Sequence, residues 1–411
     1  MNGLNMNACG RALMLFASAM CLSSGLMSAI QTKAPAARAD VVADFYQWME
    51  SEQGQKASLV QLRQQCEKVL DAAENLSCSV SVLARIFETK AANQLPEYYL
   101  AIKRKHALAI ERDPDLKALF SMFGNESLST LRALDDFSVK RTRQREVLAI
   151  HPYSSEFSIA EEVLPFIDVS AANGHSSRFI LDTGAPQTRV NNETAKRMGV
   201  RLLTDSHYAY STFYGERDVS ARLGILESIK VGASEFRNVL VFVSDRDNLL
   251  GLDLISKLGR LKITRKTLEL NAAPSGRCDS PIIYTRMDIN QRLAITARLD
   301  NRVTLAIVDT GNIDYLTSAS PGSPMNVVAS LTPGSSPISA ASQARYQTFK
   351  GVLTLPGNTM AIHYKYYPGF TIPPSLVLGR YVPSILLGWR AFKDFELHLD
   401  IESGRSCFNK I

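Results

Sequence analysis

The spacing of apolar positions changes twice along this chain, and the changes divide it. Ala12 to Ile30 form an uncharged, mostly apolar run preceded by Arg11. From about Asp40 to Ile150 the spacing is helical. Leu59, Leu62, Cys66, Val69, Leu70 and Ala73 fall on one face of a helical period, as do Leu128, Leu131, Leu134 and Phe137. Pro114 before Asp115-Leu116 and Gly124 before Asn125 predict helix starts. Beyond Ile150 the pattern shortens to apolar runs of strand length, separated by turn residues.

Those runs repeat. In the first half, Phe166-Ile167-Asp168-Val169, the turn Asn173-Gly174 and the run Phe179-Ile180-Leu181 lead into Asp182-Thr183-Gly184-Ala185. In the second, Ala294 to Leu299, the turn Asp300-Asn301 and the run Val303 to Val308 lead into Asp309-Thr310-Gly311-Asn312. Each copy is followed by an apolar run ending in glycine, Leu249-Leu250-Gly251 and Ile385-Leu386-Leu387-Gly388. After each glycine come two short strands: Leu261 to Ile263 with Leu268 to Leu270, and Phe395 to Leu399 with Ser406 to Phe408. One Asp-Thr-Gly reads as an ordinary turn, because Asp and Gly populate turns freely. Two copies, each at the end of a buried strand, read as paired carboxylates delivered into tight loops.

This double pattern resembles the pepsin/retropepsin superfamily of aspartic proteases, over roughly Glu156 to Ile411. The resemblance implies a mainly β, bilobal pepsin/retropepsin-like acid-protease fold, and the helical spacing before it an N-terminal α-helical domain. Residues 1–39 are the expected signal peptide, 40–150 the helical domain or propeptide, 151–275 the first lobe and 276–411 the second. It implies a catalytic pair, Asp182 and Asp309, sharing one proton. Thr183 and Thr310 are expected to brace the loops across the pair, and Gly184 and Gly311 to admit the substrate backbone. Ala185, Asn312 and Tyr214 are expected at the substrate, Tyr214 from the aromatic-rich stretch Tyr208 to Gly215 that occupies the interval of the family's flap. A hairpin whose aromatics stack across strands is the alternative for that stretch. Asn312 stands where the family uses Ser, Thr or Ala, and the flap wording differs. A catalytically silent peptide-binding or inhibitory module of the same fold is therefore the alternative function, and a structural envelope protein working through its helical region is a third reading. One chain supplies both lobes, so a monomer is expected, with a protein or peptide as substrate.

Composition changes this picture little. The 411 residues are 45% hydrophobic and 21% charged, those of a soluble globular protein. The net charge of +6 is diffuse. Its densest cluster, Lys140-Arg141-Thr142-Arg143-Gln144-Arg145, lacks aromatic interleaving and gives no reason to expect nucleic acid. The Ala12–Ile30 run reads as an export signal, cleaved after Ala29 or Ala39, with an uncleaved membrane anchor as the alternative. Of six cysteines two lie in that segment, and the rest pair as Cys66 with Cys78 and Cys278 with Cys407, or remain as thiols. The six histidines are scattered, without a zinc or serine-hydrolase motif, and neither metal nor cofactor is expected. Prolines at 321, 324, 333 and 337 make Ser318 to Ser342 an expected irregular surface loop.

Overall fold

A computed structural model describes residues 45, 48, 49, 51, 53, 54, 57–153, 163–210, 213, 219–287, 290–333, 345–372 and 383–411. The apolar Ala12–Ile30 run, both candidate cleavage sites and Tyr214 lie outside the described residues. The chain forms two compact units. One takes the residues up to Asp136 together with Leu203–Ser211 and Arg217–Arg222, and the other holds the remainder.

The first unit is helical, with helices Leu59–Glu67, Ala72–Thr89, Leu95–Lys105, Ala107–Arg112, Pro114–Leu119 and Asn125–Arg132. The apolar face expected to run from Leu59 through Ala73 is interrupted. Lys68 caps the first helix, and the Asp71 carboxylate accepts the N–H groups of Ala73 and Glu74 to start a second. Leu62, Cys66 and Val69 are buried, but Leu70 falls in the break and is 90% exposed. The Cys66–Cys78 disulfide joins the two helices. A further turn of the core is aromatic: Tyr99 packs on Phe120 and Phe123, and its hydroxyl donates to the Leu119 carbonyl. The last helix draws its cap from far along the chain. Asp205 accepts from the N–H groups of Glu126 and Ser127 and from the Ser127 hydroxyl, while Gly124 and His207 extend the contact through backbone hydrogen bonds to Asp205 and Met122. Phe137–Leu202 already belong to the β-rich unit.

That second unit contains three sheets. In the first-lobe sheet, Leu164–Ala171 and Ser176–Leu181 form the hairpin read from Asn173-Gly174, with Gly174 at φ +80. In the second-lobe sheet, Asn290–Leu299 and Arg302–Val308 form the hairpin at Asp300-Asn301, both left-handed at φ 48 and 69. Each hairpin's second strand has a parallel neighbour from later in its lobe: Leu249 pairs with Ile180 and Leu250 with Leu181, Leu386 with Ile307 and Leu387 with Val308. The third sheet joins the lobes. Its order is Ser280–Pro281, Cys407–Lys410, Phe395–Leu399, Leu261–Ile263, Thr267–Leu270 and Glu146–Ala149, so first-lobe and second-lobe strands meet where Leu261 pairs with Leu399. Its inner face packs Leu261, Ile263, Leu268, Leu270, Leu397 and Phe408 into the core shared by both lobes.

Part of the segment expected to be an irregular loop is a strand. Val327–Pro333 pairs with Arg345–Leu355 as the edge of the second-lobe sheet, with register shifts on either side of Ala329. An edge strand needs only one row of N–H groups, so Pro333 at its end is tolerated. Residues 334–344 lie outside the described residues.

The Cys278–Cys407 disulfide closes a separation of 129 residues across the joining sheet. Chain entropy for a loop of that size is worth about 5 kcal/mol, before any enthalpic cost. The Cys278→Ser/Cys407→Ser double variant is therefore expected to lose roughly 3–5 kcal/mol of unfolding free energy in urea titration. A loss below about 1 kcal/mol would show that the unfolded chain is already constrained there.

Candidate active site

Both aspartates leave a buried strand at the same point. The Asp182 N–H donates to the Leu250 carbonyl at 3.0 Å and the Asp309 N–H to the Leu387 carbonyl at 2.9 Å, so each loop starts from the parallel neighbour of its strand. Two threonines then tie the loops together. The Thr183 N–H donates to Thr310 Oγ1 at 2.9 Å and the Thr310 N–H to Thr183 Oγ1 at 3.1 Å. Each hydroxyl donates a hydrogen bond to the strand of the other lobe, Thr183 to the Val308 carbonyl at 2.8 Å and Thr310 to the Leu181 carbonyl at 2.5 Å. Both threonines are fully buried, and these four bonds satisfy both N–H groups and both hydroxyl protons.

The glycines permit the closeness. A Cβ on Gly184 would collide with the Asp309 carboxyl, and one on Gly311 with that of Asp182. Each carboxyl is therefore seated against the backbone of the opposite loop. Gly388 plays a supporting part in the second lobe, where a Cβ would run into the carbonyls of Asn312 and Asp314. Gly251 does so in the first lobe, where its N–H donates to Thr188 Oγ1 at 3.1 Å and Thr188 in turn donates to Asp253 Oδ1 at 2.7 Å.

The two carboxyls differ in their surroundings. Asp182 Oδ1 accepts the N–H groups of Gly184 and Ala185, both at 2.9 Å, whereas Asp309 Oδ1 accepts that of Gly311 at 2.9 Å. Burial raises the Asp182 carboxyl above its ordinary range, and the Ala185 and Gly184 N–H groups, a hydrogen bond from Asp309 and the charge of Arg189 pull it back. Burial raises Asp309 further, the Asp182 charge and the hydrogen bond to Asp182 add to it, and Gly311 and Arg292 offset only part. With two backbone donors on Asp182 and one on Asp309, a proton shared by the pair is favoured on Asp309.

Asn312, expected beside Asp309, is turned into its own lobe. Its Nδ2 donates to Thr317 Oγ1 at 3.1 Å and its Oδ1 accepts the Asp314 N–H at 3.1 Å. Asp314 anchors a buried cluster that the sequence did not reveal: Lys365 Nζ lies 2.7 Å from one of its oxygens, while Tyr367 and Thr317 donate to the other at 3.0 and 3.2 Å. Arg189 and Arg292 were also missed. Arg189 opens a short Arg-Val-Asn strand and Arg292 follows Asn290-Gln291 at the polar start of its strand, so neither stands out in a chain full of surface arginines. Of the aromatic stretch Tyr208 to Gly215, Tyr208–Tyr210 pair antiparallel with Ala221, Ser220 and Val219, and the Phe213 carbonyl accepts the Thr371 N–H at 3.1 Å while its ring meets Phe370.

These environments make a stability test that needs no substrate. A carboxyl held protonated in the fold contributes stability below its unfolded value of about 3.9 and loses it as pH rises through the folded value. Asp309→Asn, which retains a hydrogen-bond donor and cannot ionise, is expected to gain in Tm relative to the unsubstituted chain between about pH 3.5 and 7. A constant difference across that range would show that Asp309 ionises as easily in the fold as in the open chain.

Residues 169–257, which contain the first Asp-Thr-Gly loop and the Leu-Leu-Gly strand beneath it, match the family of gag-polyprotein putative aspartyl proteases. No curated protein sequence matches the chain. Among solved structures, an aspartic proteinase from Irpex lacteus aligns at 14% identity over 65% of this chain and 97% of its own, with a TM-score of 0.42. A second loop of the same wording is hydrogen-bonded to the one in the matched region, and the two together support a likeness to the pepsin/retropepsin-like aspartic protease superfamily.

Proposed function

We propose that this chain is an exported aspartic endopeptidase, with Asp182 and Asp309 as its catalytic pair. The observation that carries the reading is the mutual seating of two buried, inequivalent carboxyls, each against the other loop's glycine. Asp182, with two backbone donors, is the ionised base. Asp309 is the acid. In the reaction a water held between them gives a proton to Asp182 as its oxygen attacks the peptide carbonyl carbon, and Asp309 passes its proton to the carbonyl oxygen. The resulting gem-diol collapses when its C–N bond breaks, a diol proton returning to Asp309 and the proton on Asp182 going to the leaving amine. The pair ends with one proton, as it began.

Thr183 and Thr310 hold the carboxyls in register, and Gly184 and Gly311 leave the floor open to an extended peptide. Tyr214 is proposed to cover that peptide. Two disulfides support placement in an oxidising, exported compartment. Among the described residues no helix is long and apolar enough to cross a membrane.

Cleavage of a peptide library between about pH 4 and 6, blocked by a statine-type inhibitor, tests the reading. Asp182→Asn and Asp309→Asn are each expected to lower kcat by about 10³-fold or more. Peptide binding without cleavage would identify a silent module of this fold instead. Ala185 donates to Asp182 only through its backbone, so Ala185→Ser, adding a hydroxyl donor, is expected to move the acidic limb of the rate profile downward. An unmoved limb would mean that the added hydroxyl does not reach Asp182.

A further inference from the structure

The second lobe carries a buried guanidinium where the first has an aliphatic side chain. Arg292 is 1% exposed on the strand Asn290–Leu299. That strand pairs with Arg302–Val308 in a register that sets Ala294 against Ile307, and continuing it brings Arg292 opposite Asp309. In the first lobe Phe166 pairs with Ile180, and the same continuation brings the buried Leu164 opposite Asp182. Arginine does not lose its proton in proteins, so the charge is permanent. Its Nη1 donates to the Gln291 carbonyl at 3.1 Å, and its guanidinium carbon lies 5.9 Å from the centre of the Phe213 ring.

A charge this buried is costly unless something compensates it. Asp309 does so in part: the attraction between them favours the ionised carboxylate, against burial and the Asp182 charge. Among the described residues, Arg292 acts on Asp309 and Arg189 on Asp182, and Arg189 is also committed to the Asp247 carbonyl through its Nε at 3.0 Å. We propose that Arg292 is a positioning residue that sets where the catalytic pair gives up its shared proton. Its buried charge offsets part of the repulsion that would otherwise keep Asp309 protonated far above the acidic range. Without it the acid form of the pair, and with it the alkaline limb of activity, extends to higher pH. The assignment rests on the aspartate pair being the catalyst, and the test separates the two.

The variants are Arg292→Gln, which keeps an N–H donor for the Gln291 carbonyl, and Arg292→Lys, which keeps the charge. Both are made in the full chain and checked for folding by thermal melt. In the Gln variant the alkaline limb of kcat/KM is expected to rise by about one pH unit, with a smaller rise in the acidic limb, and in the Lys variant both limbs stay near those of the unsubstituted chain. Carbon-13 NMR of labelled aspartate carboxyls reads the same proton directly and needs no turnover. If the unsubstituted chain cleaves nothing, the protease reading falls while the carboxyl titration still decides the role of Arg292. A folded Gln variant with an unmoved titration, or a Lys variant displaced as far as the Gln variant, overturns the proposal. Should the Gln variant not fold, the Lys titration decides: an unmoved titration supports the proposal and a displaced one overturns it.

Discussion

The contact between the two Asp-Thr-Gly loops depends on two missing methyl groups. Gly184 and Gly311 let each aspartate lie against the backbone of the other lobe, a separation that no L side chain at either position would allow. The threonine bonds that follow work only at that separation. An N–H and a hydroxyl from each side are exchanged over spans of 2.5–3.1 Å, so a small displacement of one lobe would strand several fully buried donors at once. Removing a partner from a buried donor costs on the order of 1–3 kcal/mol, which makes the contact nearly all-or-none. The parallel strands ending in Gly251 and Gly388 and the sheet that joins the lobes all hold the loops at this one distance.

The two lobes repeat one plan with different side chains around the two aspartates. Asp182 receives two backbone donors and faces Leu164 across the ladder; Asp309 receives one and faces Arg292. Ala185 packs beside an apolar cluster of Leu164, Ile180, Leu249 and Ile313, while Asn312 is bound to Thr317 and Asp314 in the second lobe. An assembly of two identical chains would have to generate such inequivalence by where a proton happens to sit. A single chain with two lobes can write it into side chains.

The sequence exposed what depends on local wording. Asn173-Gly174 and Asp300-Asn301 needed positive φ and received it, and the apolar runs before Asp182 and Asp309 could only be buried strands. The starts at Pro114 and Asn125 followed from their flanking residues. What stayed hidden depends on partners distant in sequence. The helix break at Leu70 turned on Asp71 acting as a cap, a role that the apolar period does not register. The strand Val327–Pro333 exists because Arg345–Leu355 offers it an edge, which overrides a proline-rich composition. Arg292, Arg189 and the Asp314–Lys365 pair look like surface charges until the fold buries them.

The cap on the helix Asn125–Arg132 has a consequence for how the chain is made. Asp205 emerges from the ribosome well after the helix it caps, and so do the strand residues 219–222 that belong to the same unit. The helical unit is therefore incomplete until much of the first lobe has been synthesised. During that interval its last helix has open N–H groups and Phe123 awaits its bridge to Ser206. A cut after Asp136 would likewise separate the helices from residues that finish their fold. Linear order and structural order part company here, and a fragment defined by the first is missing pieces of the second.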